Sequence, residues 1–210
     1  MRGICFIEPL HGKTVKNIKT ETRRIITKQP LENESIKPFV KGFFGIYHKV
    51  GGIDNLKLTL KPRYNVGDIL YMKEPYKKWT RGLSEGRHTS ILYKYGEETP
   101  CDKIGVDGSS YYTYWKNKLF MPAYAARHFI KVTAVHAERL QDISNEDCIK
   151  EGIVFDGSVY SNGFDNIKYL EPRAAYKALI NSIDGKDTWN NNPWMWVYDY
   201  ELIDREGGQL

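Results

Sequence analysis

A short polar segment near the N-terminus holds the residues best suited to chemistry. It combines an amine, two hydroxyls, a carboxylate and two guanidiniums in Lys19, Thr20, Glu21, Thr22, Arg23 and Arg24. So many polar and ionisable groups are costly to bury and unnecessary for a surface turn. A lysine can act as a base where burial or nearby cations lower its pKa, and guanidiniums bind phosphates or bases bidentately. The segment therefore predicts one wall of a binding or catalytic site.

An ordinary structural role explains the same residues. Arg23 and Arg24 would then form surface ion pairs, for example with Glu21, and Thr22 would cap backbone groups. Lys19 and Thr22 are three residues apart, so a turn brings them together, whereas an extended strand places them on opposite faces. A shared site for these two residues requires a bend between them. Both interpretations stay open at the level of residue types.

Size, composition and charge limit the classes to which the protein can belong. The 210 residues are 41% hydrophobic and 13% aromatic, which predicts one packed domain spanning 1–210. A balance of 31 basic and 26 acidic residues permits a polyanionic partner without requiring one.

Three scattered cysteines and five histidines without ligand spacing predict neither disulfides nor a metal site, and no cofactor is expected. No apolar run approaches the ~20 residues of a membrane span, so no membrane partner and a cytoplasmic location are expected.

The elements that must position the segment are mainly strands. Alternation and apolar runs predict strands at 4–7, 69–74, 90–95, 127–140 and 193–203. One short helix begins after Ser144 and ends at Glu151, before Gly152, and a longer amphipathic helix covers 171–183. Segments near 27–63 and 96–118, rich in Gly, Pro and Lys, are predicted to be insertions. The order of elements predicts an α+β domain around a sheet that closes into a mixed barrel.

Aromatic residues near the C-terminus divide into two groups. Trp194, Trp196 and Tyr198 alternate as one face of a strand, which predicts core packing. Trp189 lies in a turn-like segment and is the better candidate for stacking on a base. His136, on an apolar strand face, is expected to be a core histidine.

Two further charged residues are candidates for the same site. Glu74 ends its strand directly before Pro75, where it either faces a pocket or caps the strand. Arg127 precedes a strand and either lies over the pocket or forms a salt bridge.

Seven motifs, read in order, resemble the ASCH domain of the PUA-like superfamily, and more closely its phage- and prophage-encoded type often labelled a morphogenetic protein. They include K-T-x-T-R-R at 19–24 and G-D-x-L followed by an aromatic and a final Glu at 67–74. The others lie at 120–122 with 125–127, 138–144, 151–153, 189 and 192–197. The resemblance implies a small PUA-like β-barrel of the kind that binds RNA or modified bases.

One bacterial branch of the ASCH group removes the acetyl group from N4-acetylcytidine with a lysine, a threonine and a glutamate. The matching positions are Lys19, Thr22 and Glu151, which the resemblance implies are base, nucleophile and acid. The present chain is much longer and carries an Arg-Arg pair directly after the threonine, so its substrate is open. The expected substrate-binding residues are Thr20, Arg23, Arg24, Glu74, Arg127 and Trp189.

Three functions follow as hypotheses. The first is recognition of a nucleobase or nucleoside, with hydrolysis of an acyl group from a modified cytidine. The second is non-catalytic binding of RNA, DNA or a modified base through the same pocket. The third is a structural role in phage morphogenesis, which would place the protein in the cytoplasm of a bacterial host.

Overall fold

A five-stranded mixed sheet forms the centre of the fold. A computed structural model describes residues 1–83, 86–95, 110–112 and 114–204. The order across the sheet is β1 (Arg2–Cys5), β6 (Ile69–Lys73), β10 (Phe129–Arg139), β13 (Trp194–Ile203) and β2 (Glu21–Ile25). β1 and β6 run parallel, and every other neighbouring pair is antiparallel. β13 lies between β10 and β2 and buries both faces, since Met195, Trp196, Val197 and Tyr198 are all buried.

The described residues form four α-helices: α1 (Leu10–Val15), α2 (Asn145–Lys150), α3 (Pro172–Asp184) and α4 (Thr188–Asn191). The Ser144 hydroxyl caps α2 by accepting from the Asp147 N–H at 3.0 Å. Gly152, at φ +97°, follows the helix in a conformation that favours glycine. α3 buries one stripe that includes Tyr176 and Leu179. Within the described ranges no helix is long and apolar enough to cross a membrane.

The remaining strands form three small sheets. One contains β3 (Glu34–Pro38), β4 (Phe44–Val50) and β5 (Ile53–Leu60), a second contains β7 (Tyr76–Leu83), β8 (Gly86–Tyr93) and β9 (Ser110–Tyr112), and β11 (Val154–Phe155) pairs with β12 (Tyr160–Ser161). The segment 27–63 is therefore largely an ordered antiparallel sheet, because Ile36, Phe44 and Ile46 supply a buried face. Its status as an insertion stays a prediction. Most of 96–118 lies outside the described residues.

The predicted α+β class is confirmed, whereas the predicted barrel closure is not found. Among the described residues none of the four sheets closes on itself, and β1 and β2 are the edges of the central sheet. The two edges nevertheless approach each other, since Arg24 Nη2 donates to the Cys5 carbonyl at 2.9 Å. β1 ends at Cys5 and the chain turns into α1, so side chains instead of a backbone ladder bridge this gap.

The strongest local patterns agree with the structure. The strands predicted at 69–74, 127–140 and 193–203 are present as β6, β10 and β13. The helices predicted after Ser144 and over 171–183 are present as α2 and α3. The ends of each element agree with the prediction to within two residues. The expected segments at 4–7 and 90–95 are present as β1 and β8, shifted towards the N-terminus.

Candidate functional site

A small cavity lies in the gap between the edge strands of the central sheet and α3. Its volume is about 50 Å³. One water molecule needs ~10–15 Å³, so the cavity has room for a few water-sized groups. Ligand pockets commonly measure ~300–1,000 Å³, and only the small end of a larger ligand therefore fits inside. The charged and polar lining consists of Lys19, Thr22, Arg23, Arg24, Glu151 and Asp184, with Phe6, Leu10 and apolar residues of α3 around them.

Lys19 and Glu151 form a buried ion pair at the floor of the cavity. Glu151 caps the C-terminal end of α2, and Lys19 precedes β2. Lys19 Nζ donates to the Glu151 carboxylate, to the Glu151 carbonyl at 3.0 Å and to the Glu21 carbonyl at 2.7 Å. All three donors of an ammonium are thus used. Burial lowers the pKa of Lys19; Glu151 opposes this shift, and Arg24 and Arg23 add to it.

Thr22 lines the same cavity from β2. Its side chain is buried, and its hydroxyl has no hydrogen-bond partner among the residues that the structure describes. β2 begins only at Glu21, after Lys19, and the side chains of Lys19 and Thr22 line the same cavity. Thr20 does not line the cavity; its backbone bonds to Lys150 and Tyr200.

Arg23 holds the acidic groups of the site in place. Its Nε and Nη2 donate to Glu138 at 2.9 and 2.6 Å, and its Nη1 donates to Glu151 at 3.3 Å and to Glu21. Burial alone would lower the pKa of Arg23, but Glu151 and the neighbouring acidic groups raise it. Nε, Nη1 and Nη2 of Arg23 each donate to a carboxylate, and Arg23 also lines the cavity, so its expected substrate-binding role stays a prediction.

Glu21 is a second buried carboxyl next to this ion pair. Burial raises its pKa to about 8, with Glu151 and Asp147 adding to the shift and Arg23 opposing it. Glu138 moves the other way: burial would raise its pKa, but hydrogen bonds from His136 and Arg23 hold it below the usual range. The carboxyls around Arg23 therefore differ in their affinity for a proton.

Arg24 and Asp184 lie at the rim. Arg24 is half-buried, donates to Cys5 and lies over the Phe6 ring at 5.8 Å from its centroid. Asp184 is exposed and ends α3. The sequence gives no local signal for Asp184, whereas Tyr176, another lining residue, was identified only as part of the apolar stripe of α3.

Three other expected residues lie elsewhere. Glu74 is fully buried and accepts two hydrogen bonds from Arg127, at 2.8 and 2.9 Å, so the structure shows a salt bridge. Trp189, in α4, packs against Tyr176 at 6.4 Å and beneath Arg173. Glu74, Arg127 and Trp189 are all absent from the lining of the small cavity.

A larger cavity of about 580 Å³ lies under the turn between β3 and β4. Its lining is mostly apolar and comes from 38–44, Pro62, Val66 and Val135, with His136 at one side. His136 is half-exposed and lies 3.5 Å from Glu138, so the prediction of a core histidine is wrong. None of the Lys19 to Arg24 residues reaches this cavity, which leaves the small cavity as the candidate site.

The fold and the cavity define a small α+β protein with a buried lysine–glutamate pair and, on the same cavity, a threonine hydroxyl that bonds to no described residue. In the described ranges, no three His, Cys, Asp or Glu side chains converge in a way that could hold a metal ion. Comparison of the chain with models of known families, with curated proteins and with solved structures found no match.

Proposed function

We propose that the small cavity hydrolyses an exocyclic amide and that its substrate class is the N4-acylated cytidines. One observation carries the proposal: Lys19, Thr22 and Glu151 line the same cavity although the third lies far from the first two in the chain. These are the three positions that resemble the catalytic residues of the amidohydrolase branch of the ASCH group. We therefore also propose that the chain is a PUA-like ASCH domain.

The cavity size suits an acyl group better than a whole nucleoside. A volume of about 50 Å³ admits a group of a few heavy atoms and leaves a pyrimidine ring outside. The acyl carbon would then lie beside the Thr22 hydroxyl, while the base and ribose remain at the rim.

Proton transfer from Lys19 to Glu151 prepares the reaction. Burial lowers the pKa of Lys19, so its ammonium can give a proton to the Glu151 carboxylate that it contacts and become a neutral amine. The neutral Lys19 amine then has a lone pair to accept the Thr22 proton, and Glu151 holds the proton that a leaving amine needs. Arg23, bonded to the other Glu151 oxygen at 3.3 Å, keeps this carboxyl facing Lys19.

The chemical steps balance with these three residues and one water. Thr22 Oγ1 bonds to the acyl carbon as its proton passes to Lys19 Nζ. The C–N bond breaks as Glu151 gives its proton to the departing N4, releasing cytidine and leaving an acyl ester on Thr22. Water then attacks the ester, a carboxylic acid leaves, Thr22 regains its proton, and the Lys19–Glu151 pair returns to its starting state.

The test is release of cytidine from N4-acetylcytidine and longer N4-acyl analogues, followed by chromatography. Wild-type protein and Thr20→Val should release cytidine, and Thr22→Val should not. Thr20 is the matched control because it is a threonine on the same segment that does not line the cavity. No release by wild-type protein with any acyl group would refute hydrolysis.

Hydrogen bonding at Lys19 favours a second candidate, which is recognition of a modified base without turnover. All three ammonium donors are satisfied by Glu21 and Glu151, as expected of a stable structural ion pair. In that case, nucleosides would raise the melting temperature of wild-type and Thr22→Val protein equally, with no cytidine released.

A further inference from the structure

Asp184 occupies a position that its own helix disfavours. It is the last residue of α3, where the partial negative charge of the helix C-terminus repels a carboxylate. Although the Asp184 side chain is exposed, partial desolvation at the cavity raises its pKa, Arg24 opposes the shift, and Glu151 adds to it. Within the described ranges its carboxylate has neither a hydrogen bond nor an ion pair. A carboxylate on the cavity rim that has no hydrogen bond or ion pair in the described ranges is available to an external partner.

Arg24 supplies the complementary half of the rim. One Nη donates to the Cys5 carbonyl, and its remaining N–H groups have no acceptor in the described part of the chain. Arg24 and Asp184 line the same cavity but do not pair with each other. An uncommitted cation and an uncommitted anion thus flank one opening, with Lys19 and Glu151 buried beyond them.

We infer that Asp184 and Arg24 form a subsite that binds a planar ligand group. This group carries a hydrogen-bond donor next to a hydrogen-bond acceptor. Asp184 accepts from the donor, and Arg24 donates to the acceptor. The edge of a cytosine carries this pair, an N4–H next to N3. This inference rests on the proposed function for its substrate class and adds the residues that select the base.

The two carboxylates of the cavity then have separate tasks. Glu151 is buried and bonded to Lys19 and Arg23, so it is not free to bind a base edge. Asp184 is exposed at the rim, so it meets the ligand before the acyl group enters. A charged acceptor discriminates strongly against ligands that lack the donor, because its desolvation is then uncompensated.

The test compares binding of cytidine with binding of pyrimidin-2-one riboside, which lacks the N4 amino group, by isothermal titration calorimetry. Wild-type protein should bind cytidine about tenfold or more tightly, as expected of a hydrogen bond to a charged group. Asp184→Leu should remove this preference, and Asp184→Asn, which keeps an acceptor oxygen, should keep part of it. Asp187→Leu is the control, an exposed carboxylate three residues on that does not line the cavity.

The outcomes for the subsite and for hydrolysis can be told apart. Cytidine is the product, so its binding does not depend on turnover. A preference lost in Asp184→Leu supports the subsite even if no acyl group is released. An unchanged preference in Asp184→Leu, or no preference in wild-type protein, overturns the subsite even if hydrolysis occurs. The melting temperature of Asp184→Leu should be unchanged or higher, which excludes a fold defect as the cause of a lost preference.

Discussion

Lys19 Nζ donates both to the carbonyl of Glu151, at 3.0 Å, and to its carboxylate, across 132 positions of sequence. This double contact fixes the end of α2 to the start of β2. It also brings the two ionisable groups to the floor of a cavity that Thr22 shares. The same pair therefore stabilises the fold and, in the proposed function, supplies a base and an acid.

Breaking this pair should be costly. Lys19→Met leaves the buried Glu151 carboxylate without its main partner, for which losses of about 3–5 kcal/mol are typical. The double variant Lys19→Met/Glu151→Leu removes both charges and should lose less than the sum of the single variants. Urea unfolding of the four proteins measures the coupling. Additive losses would show that the two side chains do not interact as the structure has them.

Glu21 should make the protein less stable as pH rises. Burial raises its pKa from 4.5 to about 8, so between these values the folded state holds a proton that the unfolded state has lost. Protonated Glu21 therefore makes its full contribution to the free energy of unfolding below pH 4.5. This contribution is lost as pH rises through about 8. Glu21→Gln mimics the protonated form.

Urea unfolding from pH 6.5 to 9 compares the two proteins. The wild-type protein should lose stability across this range, and Glu21→Gln should lose less. Parallel curves would mean that Glu21 is ionised in the folded protein throughout, as a simple ion pair with Arg23 would require.

Two buried histidines should make the protein less stable as pH falls. Burial, together with neighbouring positive charges, lowers the pKa of His11 to about 3 and that of His128 to about 4. Below pH 6.5 the unfolded state gains protons that the folded state does not, so stability falls as pH drops towards 4. His11 Nε2 is also buried, and no group in the described part of the chain forms a hydrogen bond with it. Relative to wild-type protein, His11→Leu should therefore show a shallower loss between pH 6.5 and 4.5.

His48→Asn, in half-buried β4, provides the control for this comparison. Its thermal unfolding profile should follow that of wild-type protein. If His11→Leu loses stability below pH 6.5 as steeply as the wild type does, the buried neutral state assigned to His11 is incorrect.

Arg127 should matter for stability and not for the site. Its guanidinium pairs with the fully buried Glu74, so Arg127→Met leaves that carboxylate uncompensated. Because the Arg127 side chain is 35% exposed, the expected loss is about 2–3 kcal/mol, below the range for fully buried pairs. Activity per folded molecule should be unchanged in nucleoside assays. A selective loss of activity without loss of stability would return Arg127 to the substrate-binding residues.

Much of the fold was predictable because its signals are local. The Ser144 cap and Gly152 define α2, and period-two alternation defines β10 and β13. Closure of the central sheet was not predictable, because it depends on whether the backbones of β1 and β2 come within ladder distance. In the structure, Arg24 bridges that gap instead.

The site was predictable only in part, because it also depends on tertiary contacts that local sequence patterns do not show. Residue types marked Lys19 and Thr22, and the family resemblance added Glu151, but no local pattern distinguishes Arg23 from Arg24. Along a strand these two side chains point to opposite faces, and α2 packs against β2. Both side chains line the cavity, but Arg23 bonds to carboxylates, whereas Arg24 donates to the Cys5 carbonyl at the rim. That difference is a tertiary property.

The most direct test of the central claim is the rate of cytidine release from N4-acetylcytidine by wild-type, Thr22→Val and Thr22→Ser protein, each checked for an unchanged melting temperature. Valine keeps the shape of threonine and loses the hydroxyl, and serine keeps the hydroxyl. The account predicts release by wild-type and Thr22→Ser protein and none by Thr22→Val. Release by Thr22→Val at the wild-type rate would contradict the assignment of Thr22 as the nucleophile.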